Sequence, residues 1–168
     1  MKVIVADPPL IEEIDAAFRV KGKPVLFAWG DRIYNPGNVS IPPQLMKHEG
    51  VHGARQLAYA RALPSLPTDE AIKLWWRRYI SDRSFRLDEE IVAHAAEYWY
   101  IAVTGNRIAR RLALARISSR LAGPLYGRLI SKDKAKRLIS VIAKDYEMNR
   151  RAAQNLAKEE TNASPMAG

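Results

Sequence analysis

Residues 44–63, QLMKHEGVHGARQLAYARAL, decide the fold, because they combine a helical run with a cluster of ligating side chains. Two prolines precede the run directly, and proline suits the first turn of a helix. On such a helix His48 and His52 lie one turn apart on one face, so both imidazoles can reach the same metal ion. Glu49 lies beside them, where it could act on a water molecule. The stretch therefore predicts a metal centre built on a helix.

Two glycines lie inside this predicted helix, Gly50 and Gly53. An interior glycine costs about 1 kcal/mol relative to alanine, so a pair of them close to the ligating residues calls for a reason. We expect that another backbone segment or a substrate passes close to the helix at this point. Tight packing of a second helix is the alternative explanation.

A catalytic zinc site takes three protein ligands, and the sequence offers few candidates for the third. The chain has no cysteine, so the ligand must be a nitrogen or an oxygen. Residues 86–98, RLDEEIVAHAAEY, place Glu90 and His94 one helical turn apart and contain the remaining histidine. Glu90 is followed by apolar residues, and a carboxylate on a buried helix face needs a cation or a metal. Both residues are candidates for the third ligand.

This pairing of HExxH with Glu90-xxx-His94 resembles the gluzincin metallopeptidases, whose pattern is HExxH followed by ExxxD or a close variant. The resemblance runs from the first motif helix to the end of the second. It implies that His48, His52 and Glu90 bind Zn²⁺ and that His94 replaces the usual aspartate as a supporting residue. A site with His94 as the third ligand, supported by Glu90 or by Glu89, stays open.

The resemblance also implies an activity and a fold. It implies hydrolysis of a peptide bond in a protein or peptide substrate, with Glu49 as the general base, and a minimal zincin-like core. Such chemistry needs a donor for the developing oxyanion. The sequence does not select one among four tyrosine candidates, which are Tyr59, Tyr79, Tyr98 and Tyr126.

The segments around the two motifs predict a mainly α fold, of α+β class, with a short N-terminal β element. Residues 24–34, PVLFAWGDRIY, form a strand-like run, and a peptide substrate could add to it as an edge strand. An ordinary edge strand that covers a helical core is an equal alternative. Thr68 is expected to cap one helix and Ser84 to open the helix that bears Glu90.

The net charge of +9 is concentrated in the C-terminal part of the chain. Residues 1–104 carry 13 basic and 13 acidic residues, whereas residues 105–168 carry 14 basic and 5 acidic ones. We therefore predict a metallopeptidase core over 1–104, a basic helical extension packed on it over 105–160, and a disordered tail over 161–168. The extension should contain two helices whose buried faces are Ile108, Leu112, Ala115 and Leu121 in the first, and Ala135, Leu138, Ile139, Ile142 and Tyr146 in the second.

The basic extension permits a second function. Arg107, Arg110 and Arg111 could bind nucleic acid, and the whole chain could then be a non-catalytic protein that binds nucleic acid or a virion assembly partner, with a structural metal at most. A solvated helical face is the alternative. No signal peptide or membrane-spanning run is evident, which predicts a cytoplasmic protein. The chain also resembles small peptidases encoded by phages and prophages and the repressor-cleaving proteases of mobile elements, so association with a virion is a further expectation.

Overall fold

A computed structural model describes residues 1–163, and the side chains of residues 1–151. The described chain is mainly helical with one small sheet, as predicted. The elements in chain order are β1 (Lys2–Ile4), α1 (Ile11–Phe18), β2 (Phe27–Trp29), β3 (Arg32–Tyr34), α2 (Pro43–Arg61), α3 (Thr68–Ser81), α4 (Arg83–Thr104), α5 (Arg107–Leu121), a 3₁₀ turn (Pro124–Tyr126) and α6 (Lys132–Ala163).

The strand-like run 24–34 is a hairpin rather than a single strand. Strands β2 and β3 pair antiparallel on either side of Gly30, which adopts a left-handed φ of 60° that suits glycine. Strand β3 also pairs in parallel with β1, an element that the sequence did not predict. The strand order β1-β3-β2 leaves β2 at an edge of the sheet, next to α2.

The hairpin is fixed to α2 by a close backbone approach. A Cβ atom on Gly53 would lie 2.1 Å from the carbonyl oxygen of Gly30, so no side chain fits there. The buried Gln56 amide then donates to the Ala28 carbonyl oxygen at 3.1 Å and accepts from the Gly30 amide at 2.7 Å. The expectation of a passing backbone is confirmed at Gly53. Gly50 differs, since a Cβ there would meet only the Met1 Sδ atom at an ordinary 3.7 Å.

Two apolar clusters flank the α2–α4 pair. The first lies between α1, the hairpin and α3, and contains Trp29, Trp75, Trp76 and Tyr79. The tryptophan pair of α3 therefore belongs to the core. The second cluster joins α4 to α5 and α6, so the basic extension packs on the core through α4.

Two predicted helix starts are corrected. Helix α4 begins at Arg83 rather than at Ser84, because the Asp82 carboxylate caps it by accepting hydrogen bonds from the Ser84 and Phe85 amides, both at 3.0 Å. Thr68 does not cap α3. It lies within the first turn, and the preceding Pro67 provides no side-chain cap.

The predicted buried face of α5 is wrong for two of its residues. Ile108 and Leu112 are 64% and 60% exposed, while Ala113, Ile117 and Leu121 form the face that packs in the second cluster. The face of α5 that packs is therefore rotated around the helix from the predicted one. The face predicted for α6 is confirmed, with Ala135 and Ile139 fully buried and Leu138 and Ile142 packed beside them.

Helix α6 continues to Ala163, into the segment predicted as a tail over 161–168, and the rest of that segment lies outside the described residues. Helix α4 ends at Thr104, and the division of the chain into a core and a basic extension at this point stays a prediction. Within the described part of the chain, no helix is both long enough and apolar enough to cross a bilayer.

Candidate metal centre

Helices α2 and α4 bring His48, His52 and Glu90 together. The Nε2 atoms of the two histidines are 3.2 Å apart, the Glu90 Oε1 atom lies 3.3 Å from His52 Nε2, and Oε2 lies 3.8 Å from His48 Nε2. All three residues are buried, with exposed fractions of 5%, 6% and 2% respectively. One face of α2 thus meets one face of α4 at a cluster of three ligating side chains.

The spacing of these atoms fits a metal ion. Ligands about 2.05 Å from a tetrahedral zinc lie roughly 3.3 Å from one another, close to the separations seen here. The Glu90 Oε2 atom is buried and has no hydrogen-bond donor among the described residues, although a buried carboxylate oxygen needs a positive partner. The three side chains could therefore hold a metal ion between them.

Burial sets the protonation of the ligating groups. It lowers the pKa of His48 to about 4, aided by the neighbouring His94, so the imidazole stays neutral and able to ligate. Burial opposes the charge of Glu90, but His52 and the other imidazoles outweigh it and hold the carboxyl pKa well below its usual range. For His52 burial is again outweighed, and Glu90 raises the pKa. A proton on His52 and a metal ion are thus competing cations for one carboxylate.

Glu49 opens into the same cavity as the ligating residues but does not belong to their group. Glu49 is 8% exposed, and burial raises the pKa of its carboxyl group to about 7 against the opposing effect of His52. The remaining wall is largely apolar and comes from α1, β2 and α3, with Phe18, Phe27, Trp75 and Trp76 among its residues. A carboxyl group that titrates near neutrality therefore faces a mostly apolar cavity beside the candidate metal centre.

Tyrosines from two elements line the cavity. The Tyr79 hydroxyl donates a hydrogen bond to Glu90 Oε1, and its ring stacks on Trp75 with the ring centroids 5.2 Å apart. Tyr126, from the 3₁₀ turn, packs its ring edge-on against His94 at 5.6 Å. Tyr59 and Tyr98 are not among the residues that line the cavity. Tyr79 therefore holds the Glu90 oxygen that lies next to His52, while the other oxygen faces His48 and His94.

His94 lies behind the ligating group. Its Nε2 atom is 3.4 Å from Glu90 Oε2, and its Nδ1 atom is 3.0 Å from the Oε2 atom of Glu97. It forms a second cluster with His48 and Glu97 and does not belong to the group of His48, His52 and Glu90. The geometry therefore groups Glu90 rather than His94 with the two histidines of α2.

Glu97 is a site residue that the sequence analysis missed. It is 1% exposed, and Arg120 of α5 pairs with its Oε2 atom. Burial opposes its ionisation, but His48 and His94 outweigh that effect and hold its pKa well below the usual range. The spacing offered a signal, because Glu97 follows Glu90 by seven residues and so shares its helix face. Glu89 belongs to neither cluster and instead pairs with Arg55 of α2.

The arginines proposed to bind nucleic acid lie elsewhere. Arg107, Arg110 and Arg111 are exposed on α5. Among the described side chains, none of the three forms an ion pair, in contrast to Arg120 of the same helix. Their exposed side chains lie outside both clusters of candidate metal ligands.

No protein-family model matches the chain, and neither a curated protein nor a solved structure matches it significantly.

Proposed function

We propose that the protein is a zinc-dependent peptidase. The observation that carries the proposal is the cavity in which Glu49 opens beside the buried group of His48, His52 and Glu90 without belonging to it. A hydrolytic metal site needs this division of labour between residues that ligate and a carboxylate that handles protons. The resemblance of the two motifs to the gluzincins supports the same proposal.

His48, His52 and Glu90 would hold the zinc ion, with oxygen and nitrogen donors that suit it. When bound, zinc supplies Lewis acidity toward the carbonyl group of a peptide bond. Glu49 accepts a proton from the attacking water and then delivers it to the leaving amine. Its pKa of about 7 suits both transfers, because a group that titrates near the working pH can act as base and acid in turn.

The walls of the cavity support a peptide substrate with an apolar side chain. Phe27 of the edge strand and Trp76 of α3 line the cavity next to Glu49. Apolar walls exclude bulk water, which strengthens the electrostatic interactions inside. They can also bury an apolar side chain of the substrate, which contributes about 25 cal/mol of binding free energy per Å² of apolar surface removed from water.

The test separates metal binding from proton transfer. We expect the purified protein to bind about one zinc ion per chain. The Glu49→Gln variant should still bind this ion, whereas the His48→Ala variant should lose it. The Glu49→Gln variant should cleave an unstructured protein substrate about 100-fold to 10,000-fold more slowly than wild type, because general acid–base catalysis contributes that much. Hydrolysis at the wild-type rate in this variant would refute the proposed role of Glu49.

Nucleic-acid binding is a second candidate function, favoured by the exposed arginines of α5. It predicts salt-dependent binding of DNA or RNA that weakens when Arg107, Arg110 and Arg111 are changed to glutamine, since each phosphate contact adds to the salt dependence. The Glu49→Gln variant should bind nucleic acid as the wild type does. A lack of binding at low salt would exclude this candidate.

A further inference from the structure

Glu97 connects the metal centre to the basic extension. Its Oε2 atom lies 3.0 Å from His94 Nδ1 and 3.6 Å from His48 Nδ1, and the same oxygen accepts a hydrogen bond from the Arg120 guanidinium of α5. One buried carboxylate oxygen therefore bonds to His94 and Arg120 and faces the buried His48 Nδ1 atom, which has no hydrogen-bond partner among the described residues. Three helices, α2, α4 and α5, meet at this oxygen.

The position of Glu97 bears on the tautomer of His48. A neutral imidazole carries one N–H, and an Nδ1–H that faces a carboxylate leaves Nε2 with its lone pair exposed. In His48, Nε2 is the atom that faces His52 and Glu90, whereas Nδ1 faces Glu97. A carboxylate at this place favours the tautomer that can ligate a metal and makes the ligating nitrogen more basic.

Arg120 in turn holds Glu97. The Glu97 side chain is 1% exposed, and a buried carboxylate without a cation is costly, so Glu97 needs a fixed positive partner. Arg120 provides one from outside the helix pair that carries the ligating residues. Because its own side chain is 36% exposed, it reaches the carboxylate from the protein surface.

We propose that Glu97 and Arg120 are positioning residues of the metal centre, which orient His48 for ligation and make α5 a working part of the site. The inference rests on the metal centre of the proposed function. It differs from a second metal site at His48, His94 and Glu97, which the geometry of those residues would also permit. The Arg120 guanidinium already supplies the positive charge there, and a second cation would be repelled by it.

The chain offers a matched control for this pair. Arg55 and Glu89 also join a buried carboxylate of α4 to an arginine of a neighbouring helix, and their side chains are 42% and 3% exposed. This pair lies outside both clusters of ligating residues. Loss of either arginine should therefore disturb the fold to a similar extent, while only Arg120 should affect the metal.

The experiment measures zinc affinity by competition with a chromophoric chelator and the His48 tautomer by ¹⁵N NMR. We expect Glu97→Gln and Arg120→Met to weaken zinc binding about 10-fold to 100-fold, the range seen for supporting partners of metal ligands. Arg120→Lys should restore part of the affinity, and Glu89→Gln and Arg55→Met should leave it within about threefold of wild type. The Glu97→Gln variant should also lose the single tautomer of His48.

The outcomes separate the two proposals. Zinc binding by wild type with unchanged affinity in both Glu97→Gln and Arg120→Met would overturn the positioning role alone. A second zinc per chain that is lost in Glu97→Gln would overturn it in favour of a second metal site. Wild type that binds no zinc would overturn both the metal centre and the positioning role. Wild type that binds zinc and responds to these variants, yet cleaves no peptide, would overturn only the peptidase function and support the positioning role.

Discussion

Glu89 and Glu90 are successive residues of α4, both 2% exposed, and both face α2, yet their charges are balanced in different ways. Glu89 forms two hydrogen bonds with the Arg55 guanidinium, so both of its oxygens have a fixed cationic partner. Glu90 meets three imidazoles, those of His48, His52 and His94, and its Oε2 atom has no hydrogen-bond donor among the described residues. Its Oε1 atom accepts a hydrogen bond from the Tyr79 hydroxyl. A buried carboxylate needs compensation, and where the chain supplies no fixed cation a metal ion can provide it.

The largest effect is expected from Gly53→Ala, because this substitution would displace α2 from its place against the hairpin and so remove the partners of both carboxylates. In Gly53→Ala the new Cβ atom would lie 2.1 Å from the Gly30 carbonyl oxygen, and backbone cannot move aside as a flexible side chain can. We expect a loss of at least about 3 kcal/mol in the free energy of unfolding, measured by urea denaturation.

Gly50→Ala is the control for this substitution. It lies on the same helix, and its Cβ atom would meet only a flexible methionine side chain at 3.7 Å. Alanine should stabilise the helix by up to about 1 kcal/mol at this position. If Gly53→Ala were as stable as Gly50→Ala, the close approach of hairpin and helix would be refuted.

The next prediction compares the loss of charge at Glu90 with the same change at Glu89. Glu90→Gln removes a ligand and its charge, so zinc affinity should fall by at least about 100-fold, more than the loss of a supporting partner causes. Glu89→Gln should leave zinc affinity unchanged and lower the free energy of unfolding by about 1 to 2 kcal/mol, because it weakens charged hydrogen bonds to a half-exposed arginine. Chelator competition and urea denaturation measure the two quantities. Equal effects of both variants on zinc affinity would remove the distinction between the two sites.

The features that could be predicted from the sequence depend on interactions between residues close together in the chain. The spacing of His48 and His52, and the position of Glu90 on a buried helix face, depend on the local helical period, and the structure brings these residues together as predicted. Gly53 also carried a readable signal, since glycine inside a helix calls for a close neighbour.

The missed features depend on contacts between distant segments. Strand β1 exists only through its pairing with β3, and three residues carry no periodicity that would reveal it. The role of Glu97 depends on where α5 docks, since Arg120 reaches it from 23 residues away in the chain. The buried face of α5 was misplaced for the same reason, because the packing of α5 on α4 and α6 outweighed the larger apolar area of Ile108 and Leu112.

The smallest effect on zinc affinity is expected from Tyr79→Phe, which removes a hydrogen-bond donor to Glu90. The Tyr79 hydroxyl donates a hydrogen bond to Glu90 Oε1, the oxygen that also lies 3.3 Å from His52 Nε2. Tyr79→Phe keeps the ring stacked on Trp75 and removes only that donor, so zinc affinity should fall about tenfold, the lower end of the range for supporting partners.

Tyr59→Phe is the matched control, since Tyr59 does not line the cavity and should leave zinc affinity unchanged. A Tyr79→Phe variant with wild-type affinity would mean that Glu90 keeps its position for ligation without the Tyr79 hydroxyl. In that case Glu89 and Glu90 would differ only in the cation that balances their charge. The Arg55 guanidinium would balance Glu89 and a metal ion would balance Glu90, and the Tyr79 hydroxyl would contribute nothing to this difference.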